Sequence, residues 1–155
     1  MADNKKIRLG ALNVGEYSFW GIWAEALSPH GPFETSLFNM ELTHCWDINP
    51  QLAAEFGEKY DCEVAAEYDG MLGKVDAIAF GGFYEVPWQH RLARPYVAAG
   101  VPTYLSRPFS YRLRDIDELL DLAAKHSTPL IATNVFEHFI QGAILKSRLP
   151  NIGVI

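Results

Sequence analysis

The sequence has few cysteines, no long apolar run and no basic cluster, and each absence excludes a class of protein. Cys45 and Cys62 are its two cysteines, and neither belongs to a C-x-x-C motif or a cluster of metal-ligating residues. A disulfide scaffold and a metal site are therefore not expected. No apolar stretch approaches the roughly 18 residues of a membrane span, and residues 1–6 do not resemble a signal peptide. These absences predict a cytoplasmic protein with no membrane partner.

The charge balance excludes a further class of partner. The chain carries 13 Lys and Arg against 19 Asp and Glu, a formal net charge of −6, and no basic run exceeds two residues. Nucleic acid is a polyanion that proteins bind through clustered cations, so it is not an expected partner. The 155 residues, 49% hydrophobic and 21% charged, have the length and composition of one globular domain.

Short aliphatic segments alternate along the chain with longer segments of helical period. The predicted strands cover 7–13, 40–46, 63–65, 77–80, 103–105 and 130–133. The predicted helices cover 19–27, 50–59, 88–99, 115–125 and 136–148. Strands separated by helices of this length imply right-handed βαβ crossovers. The predicted fold class is therefore α/β: a doubly wound, mostly parallel sheet in three layers, with helices on both faces.

The turn after the first strand is the first candidate site. Asn13-Val14-Gly15-Glu16-Tyr17-Ser18 stands where a dinucleotide-binding fold has G-x-G-x-x-G, whose backbone N–H groups approach a pyrophosphate. Of the three glycines this sequence keeps Gly15, while Asn13 tolerates a left-handed conformation and Ser18 is small. The alternative interpretation of Gly15 is an ordinary turn between a strand and a helix.

Asp47, at the end of the second strand, is the second candidate. An acidic residue there can accept hydrogen bonds from the adenosine ribose hydroxyls and repel the 2′-phosphate of NADP. The 28–38 segment, a long connection with two prolines and a glycine, explains why Asp47 lies farther along the chain than the usual fingerprint allows. The alternative is that Asp47 caps the helix that begins at Pro50.

Two further segments follow predicted strands, and the carboxyl ends of parallel strands are where open α/β sheets bind ligands. Gly81-Gly82 follows the fourth strand, where small residues let a flat ring approach the backbone. Ser106-Arg107-Pro108 follows the fifth strand and would form a rigid, charged lip, although a solvated loop is the alternative. No Cys-His or Ser-His-Asp motif indicates nucleophilic catalysis.

An ordered series of segments covers nearly the whole chain: KIRLG (6–10), AEAL (24–27), CWDINP (45–50), EYDGML (67–72) with VDAI (75–78), AAGV (98–101), SRP (106–108), DEL (117–119), NVFEHF (134–139) and IGVI (152–155). This series resembles the N-terminal, Rossmann-type domain of the glucose–fructose oxidoreductase / inositol dehydrogenase / MocA (Gfo/Idh/MocA) family. The resemblance implies an oxidoreductase that transfers hydride between NAD or NADP and a sugar, cyclitol or related polyol. Asp47 favours NAD.

The resemblance also exposes departures from the family pattern. Ser106 and Arg107 replace the glutamate and lysine of the family's Glu-Lys-Pro, so Arg107 stands at the catalytic position. Arginine stays protonated and cannot relay a proton as lysine can. The resemblance therefore leaves open a non-catalytic binding or regulatory module on the same fold, and a methyltransferase-like domain remains a more distant alternative.

The last residues suggest a second domain. Residues 1–149 are expected to form the nucleotide-binding domain, and the apolar residues within 150–155 resemble the start of the family's C-terminal, substrate-binding sheet domain. We therefore expect this chain alone to be inactive as an enzyme, and its uncovered apolar surface makes homo-oligomers a further expectation.

Overall fold

A computed structural model of the chain describes residues 5–15, 18–27, 39–82 and 86–132, without the side chains of Ala26 and Val86. Its strands are β1 (Ile7–Leu12), β2 (Met40–Trp46), β3 (Glu63–Val64), β4 (Ala77–Phe80), β5 (Thr103–Leu105) and β6 (Leu130–Ala132). Its helices are α1 (Trp20–Leu27), α2 (Pro50–Tyr60), α3 (Val86–Ala98) and α4 (Leu113–His126). The predicted helix over 136–148 and the 150–155 segment lie outside the described residues.

The six strands form one sheet in the order β3-β2-β1-β4-β5-β6, and every neighbouring pair is parallel. The chain proceeds outward from β1 to β3 and then returns to the other side of β1 to form β4. Leu12, the last residue of β1, pairs with Phe80, the last residue of β4. The order of the strands reverses at this pair, and ligands bind at such a switch point in doubly wound sheets. The predicted Rossmann-type α/β class is confirmed.

Apolar residues are buried on both faces of the sheet. One core cluster joins the sheet to α3 and α4, which contribute Ala93, Tyr96, Val97, Leu119 and Ala123. The other joins it to α1 and α2, which contribute Trp20, Ala24 and Phe56. Helices therefore cover the sheet on both sides, as the alternation of the segments predicts.

The local sequence explains how these helices begin and end. Asn49 caps α2, because its side chain accepts a hydrogen bond from the Gln51 N–H at 3.0 Å, and Pro50 occupies the first helical position, where no N–H is needed. Ser127 closes α4 in the left-handed conformation. Most predicted bounds hold within two residues. None of the helices in the described ranges is long and apolar enough to cross a membrane.

Candidate functional site

The carboxyl ends of β1, β2, β4 and β5 bring most of the predicted site residues to one edge of the sheet. Asn13 follows β1, Asp47 follows β2, Gly81 follows β4 and Ser106 follows β5. The Gly81 N–H donates to the carbonyl of Leu12 at 3.2 Å, which joins the ends of β1 and β4. The site therefore lies at the switch point.

The turn after β1 is tight and buried. Asn13 has a φ of 60°, in the left-handed region that a non-glycine residue other than Asn or Asp seldom adopts. Its N–H donates to the carbonyl of Trp46 at 2.9 Å, and its Oδ1 is buried with no hydrogen-bond partner. Gly15 leaves little room for a side chain, because a Cβ there would lie 3.2 Å from Leu52 Cδ1. A buried acceptor without a partner is one feature of a ligand site.

Asp47 joins this turn to β2. Its Oδ2 accepts a hydrogen bond from the Gly15 N–H at 3.0 Å, and its Oδ1 accepts one from the Asn49 N–H at 2.8 Å. The residue is only 5% exposed. The alternative interpretation of Asp47 as the cap of α2 is wrong, because Asn49 performs that role and Asp47 holds Asn49 in place. Each carboxylate oxygen keeps a further lone pair for another donor.

A second connection crosses from α1 to the end of β4. Ser18 forms an antiparallel bridge with Gly82, and the Phe19 N–H donates to the carbonyl of Gly81 at 2.9 Å. The Trp20 indole lies against Gly81, donates from Nε1 to the carbonyl of Leu12 at 3.0 Å and is fully buried. The flat ring that lies against Gly81 is the indole of Trp20, and the approach of a ligand ring to Gly81-Gly82 stays a prediction. The Gly15 and Phe19 N–H groups are thus already bonded within the protein.

Gln89 holds the loop after β5. The Ser106 N–H donates to Gln89 Oε1 at 2.6 Å, and Gln89 Nε2 donates to the carbonyls of Ser106 at 3.0 Å and Pro108 at 3.5 Å. Gln89 and Ser106 are each 1% exposed, and the Arg107–Pro108 peptide is cis. The Ser106 Oγ is buried without a partner.

Sequence reasoning missed Gln89. It lies on the face of α3 that carries Ala93, Tyr96 and Val97, which are all buried. A polar residue on an otherwise apolar helical face is the signal that would have identified it, because buried amides require partners.

Arg107 lies beside the switch point and is half-buried. Its guanidinium carbon is 5.2 Å from the centre of the Phe19 ring, which stacks in turn on Trp23 at 5.3 Å. A guanidinium over an aromatic face is a favourable cation–π contact. Among the described residues, no carboxylate forms an ion pair with Arg107.

A histidine lies near the same loop. His90 Nε2 is 3.6 Å from Asp115 Oδ1, and Ser110 Oγ donates to Asp115 Oδ2 at 3.3 Å. Burial lowers the pKa of His90, and it outweighs the opposing effect of the Asp115 carboxylate. In the part of the chain that is described, no three His, Cys, Asp or Glu side chains are grouped so that they could hold a metal ion.

The residues present fit a dinucleotide at two places. Near the ends of β1 and β2, Asp47 and the orphaned Asn13 Oδ1 are hydrogen-bond acceptors of the kind that ribose hydroxyls require. Near the end of β5, Ser106, Arg107 and Pro108 form a fixed lip.

Comparison with solved structures assigns the architecture. The WlbA dehydrogenase from Chromobacterium violaceum, in complex with NADH and UDP-GlcNAcA, is similar to this chain with 19% identity and a TM-score of 0.79, over 97% of this chain and 41% of that one. A Gfo/Idh/MocA family oxidoreductase from Vibrio cholerae has 19% identity and a TM-score of 0.68, over 94% and 43%. Biliverdin reductase from Synechocystis, in complex with biliverdin and NADP⁺, has 13% identity and a TM-score of 0.72, over 96% and 44%.

The chain has the fold of the nucleotide-binding domain of Gfo/Idh/MocA oxidoreductases. The match lies in the N-terminal part of those proteins, and this chain spans less than half the length of each of the three. No family model matches the sequence, and no curated protein is significantly similar to it. The fold resemblance to the Gfo/Idh/MocA domain is confirmed, and the identities of 13–19% extend no further than the fold.

Proposed function

We propose that this chain is the dinucleotide-binding domain of an oxidoreductase that acts on a sugar, cyclitol or related polyol and prefers NAD to NADP. The observation that carries this proposal is the Asp47 carboxylate, which is buried at the end of β2 and hydrogen-bonded to Gly15 of the preceding turn. A charge held there by two backbone N–H groups can accept hydrogen bonds from a ribose and would repel a 2′-phosphate.

Each end of the site has a separate role in this proposal. Asp47, Asn13 and Gly15 would hold the adenosine half, and Gly81, Gly82 and Ser18 would line the crossing between the two halves. Ser106, Arg107 and Pro108 would serve the nicotinamide end. The bound nicotinamide supplies the hydride chemistry. Arg107 orients the substrate as a fixed cation but does not accept its proton, because a guanidinium remains charged.

Two of the solved relatives bear on the substrate class. The C. violaceum relative was solved with NADH and UDP-GlcNAcA, which supports a sugar derivative. The Synechocystis relative binds biliverdin and NADP⁺ on the same fold, so the fold alone does not determine the substrate or the cofactor. A substrate-binding domain that begins within 150–155, and the inactivity of this chain by itself, remain predictions.

A second candidate is a non-catalytic ligand-binding or regulatory module. The hydrogen bonds of the first turn favour it: the Gly15 N–H donates to Asp47 and the Phe19 N–H to Gly81, so neither is available to a pyrophosphate. Arg107 in place of the family's lysine favours it as well.

Titration with NAD and NADP tests the proposal. We expect NAD to bind at least about tenfold more tightly than NADP, and Asp47→Ser to lose most of that preference. Asp121→Ser, which removes an exposed carboxylate on α4, is the matched control and should leave the preference unchanged. Circular dichroism should first show that both variants are folded. Equal affinity for NADP in the wild type would contradict the NAD assignment, and no binding of either cofactor would favour the second candidate.

A further inference from the structure

Arg107 differs from the other partly buried arginine that the structure describes. Arg8 donates to Asp76 from Nε at 3.0 Å and from Nη2 at 2.7 Å, a bidentate ion pair. Arg107 has no such carboxylate among the described residues, although acidic residues outnumber basic ones in the chain. A guanidinium that is partly removed from water and has no carboxylate partner among the described residues can still pair with an anion that a ligand brings.

The protein holds Arg107 in place from two sides. Gln89 fixes the backbone on either side of it through hydrogen bonds to Ser106 and Pro108. The guanidinium lies over the Phe19 ring, with 5.2 Å between the guanidinium carbon and the ring centre. Phe19 is itself fixed, because its N–H donates to Gly81 at 2.9 Å. A guanidinium that is already held in place loses little conformational entropy when a ligand binds. Its planar N–H groups can then donate hydrogen bonds to that ligand.

We propose that Arg107 binds an oxyanion, a carboxylate or a phosphate group, on the substrate. The proposal rests on the proposed function and narrows its substrate class from polyols in general to acidic ones, such as uronates or phosphorylated sugars. A guanidinium can bind either oxyanion with two parallel, charge-assisted N–H···O bonds to two oxygens, whereas a neutral hydroxyl offers a single uncharged oxygen. The anion would lie beside Phe19, at the carboxyl ends of β4 and β5.

Direct titration of the chain with simple anions tests the site without the cofactor and without turnover. The probes are glucuronate, its neutral counterpart glucose, and inorganic phosphate, each at constant ionic strength. We expect glucuronate to bind at least about tenfold more tightly than glucose, since hydrogen bonds to charged groups are the stronger ones. In a spectrum of ¹⁵N-labelled arginine, the Nε–Hε signal of Arg107 should shift on titration. Tighter binding of glucuronate than of inorganic phosphate would indicate a carboxylate site, and the reverse order of affinities would indicate a phosphate site.

Three variants separate the site from general electrostatics. Arg107→Gln should lose the preference for glucuronate, and Arg107→Lys should retain part of it. Arg112→Gln removes an exposed guanidinium five positions along the same loop and should leave it unchanged. If Arg107→Gln does not fold, the affinity of Arg107→Lys for glucuronate and the arginine spectrum of the wild type still test whether Arg107 binds the anion. Equal binding of glucose and glucuronate, no anion binding at all, or equal losses in Arg107→Gln and Arg112→Gln would each overturn the proposal.

A titration of the same variants with NAD distinguishes this proposal from the proposed function. Anion binding without NAD binding would support the Arg107 site while contradicting the dinucleotide assignment. NAD binding without a preference for acidic ligands would contradict the Arg107 site alone. Loss of NAD affinity in Arg107→Gln, with no effect of free anions on the wild type, would mean that Arg107 binds a phosphate of the cofactor, which would also overturn the proposal.

Discussion

Gln89 and Ser106 bond to each other in both directions, with the Ser106 N–H donating to Gln89 Oε1 at 2.6 Å and Gln89 Nε2 donating to the Ser106 carbonyl at 3.0 Å. A side-chain amide here replaces the backbone partners that a strand would have supplied. The end of β5 is therefore attached to the first turn of α3. The position of the Ser106-Arg107-Pro108 segment depends on that attachment.

The first prediction concerns this pair. Gln89→Leu leaves the buried N–H and carbonyl of Ser106 without partners, and each unsatisfied buried group costs about 1–3 kcal/mol. We expect the free energy of unfolding in urea to fall by about 2–4 kcal/mol. Gln51→Leu, at an exposed position on α2, is the control and should change it by less than about 0.5 kcal/mol. Similar decreases in the free energy of unfolding of the two variants would show that the Gln89 hydrogen bonds do not stabilise the fold more than an exposed glutamine does.

The second prediction concerns Gly81. A Cβ at Gly81 would clash with Trp20 Cδ1 and lie 2.7 Å from its Nε1, so Gly81→Ala must displace the indole or the backbone. Overpacking of this kind costs about 1–3 kcal/mol, and we expect a loss of stability at the upper end of that range. The Trp20 fluorescence should change as well, because its hydrogen bond to Leu12 would be disturbed.

Gly21→Ala is the matched control for Gly81→Ala. Nothing lies within 4 Å of a Cβ at Gly21, and the residue is in α1, where alanine is favoured over glycine by about 0.8–1.0 kcal/mol. The control should therefore be slightly more stable than the wild type. A Gly81→Ala protein as stable as Gly21→Ala would mean that Trp20 does not pack on Gly81 as described.

The third prediction concerns pH. Burial holds the pKa of His90 below the ordinary value of 6.5, although the Asp115 and Glu118 carboxylates raise it; Arg91 and Arg112 lower it further. The unfolded chain therefore takes up a proton at a higher pH than the folded one. The free energy of unfolding should decrease as the pH falls from about 6.5 towards the pKa of folded His90.

Urea unfolding at several pH values between about 7.5 and 5 measures this effect. The His90→Gln variant keeps a polar side chain that does not titrate, so its stability should fall less steeply over the same window than that of the wild type. Parallel pH profiles for the two proteins would show that His90 titrates alike in the folded and unfolded chains.

Local periodicity was sufficient for most of the secondary structure. The 115–125 segment predicts a helix because its apolar residues recur on one face, and α4 covers Leu113–His126. The helix after Pro50 and the left-handed Asn13 follow equally from local preferences. These features need only the conformational tendencies of a few adjacent residues, so a single sequence contains them.

The alternation of strands and helices, the parallel sheet, and the placement of Asn13, Gly15, Asp47 and Ser106 after strands all follow from the amino-acid pattern. The contacts of those four residues follow from the folded arrangement. Asp47 bonds to Gly15 across 32 positions of the chain, and Gln89 bonds to Ser106 across 17. Such contacts depend on how helices cross the sheet and on atoms that meet within a few tenths of an ångström. Periodicity specifies which face of an element is buried, but it carries no information about the partner on the other side.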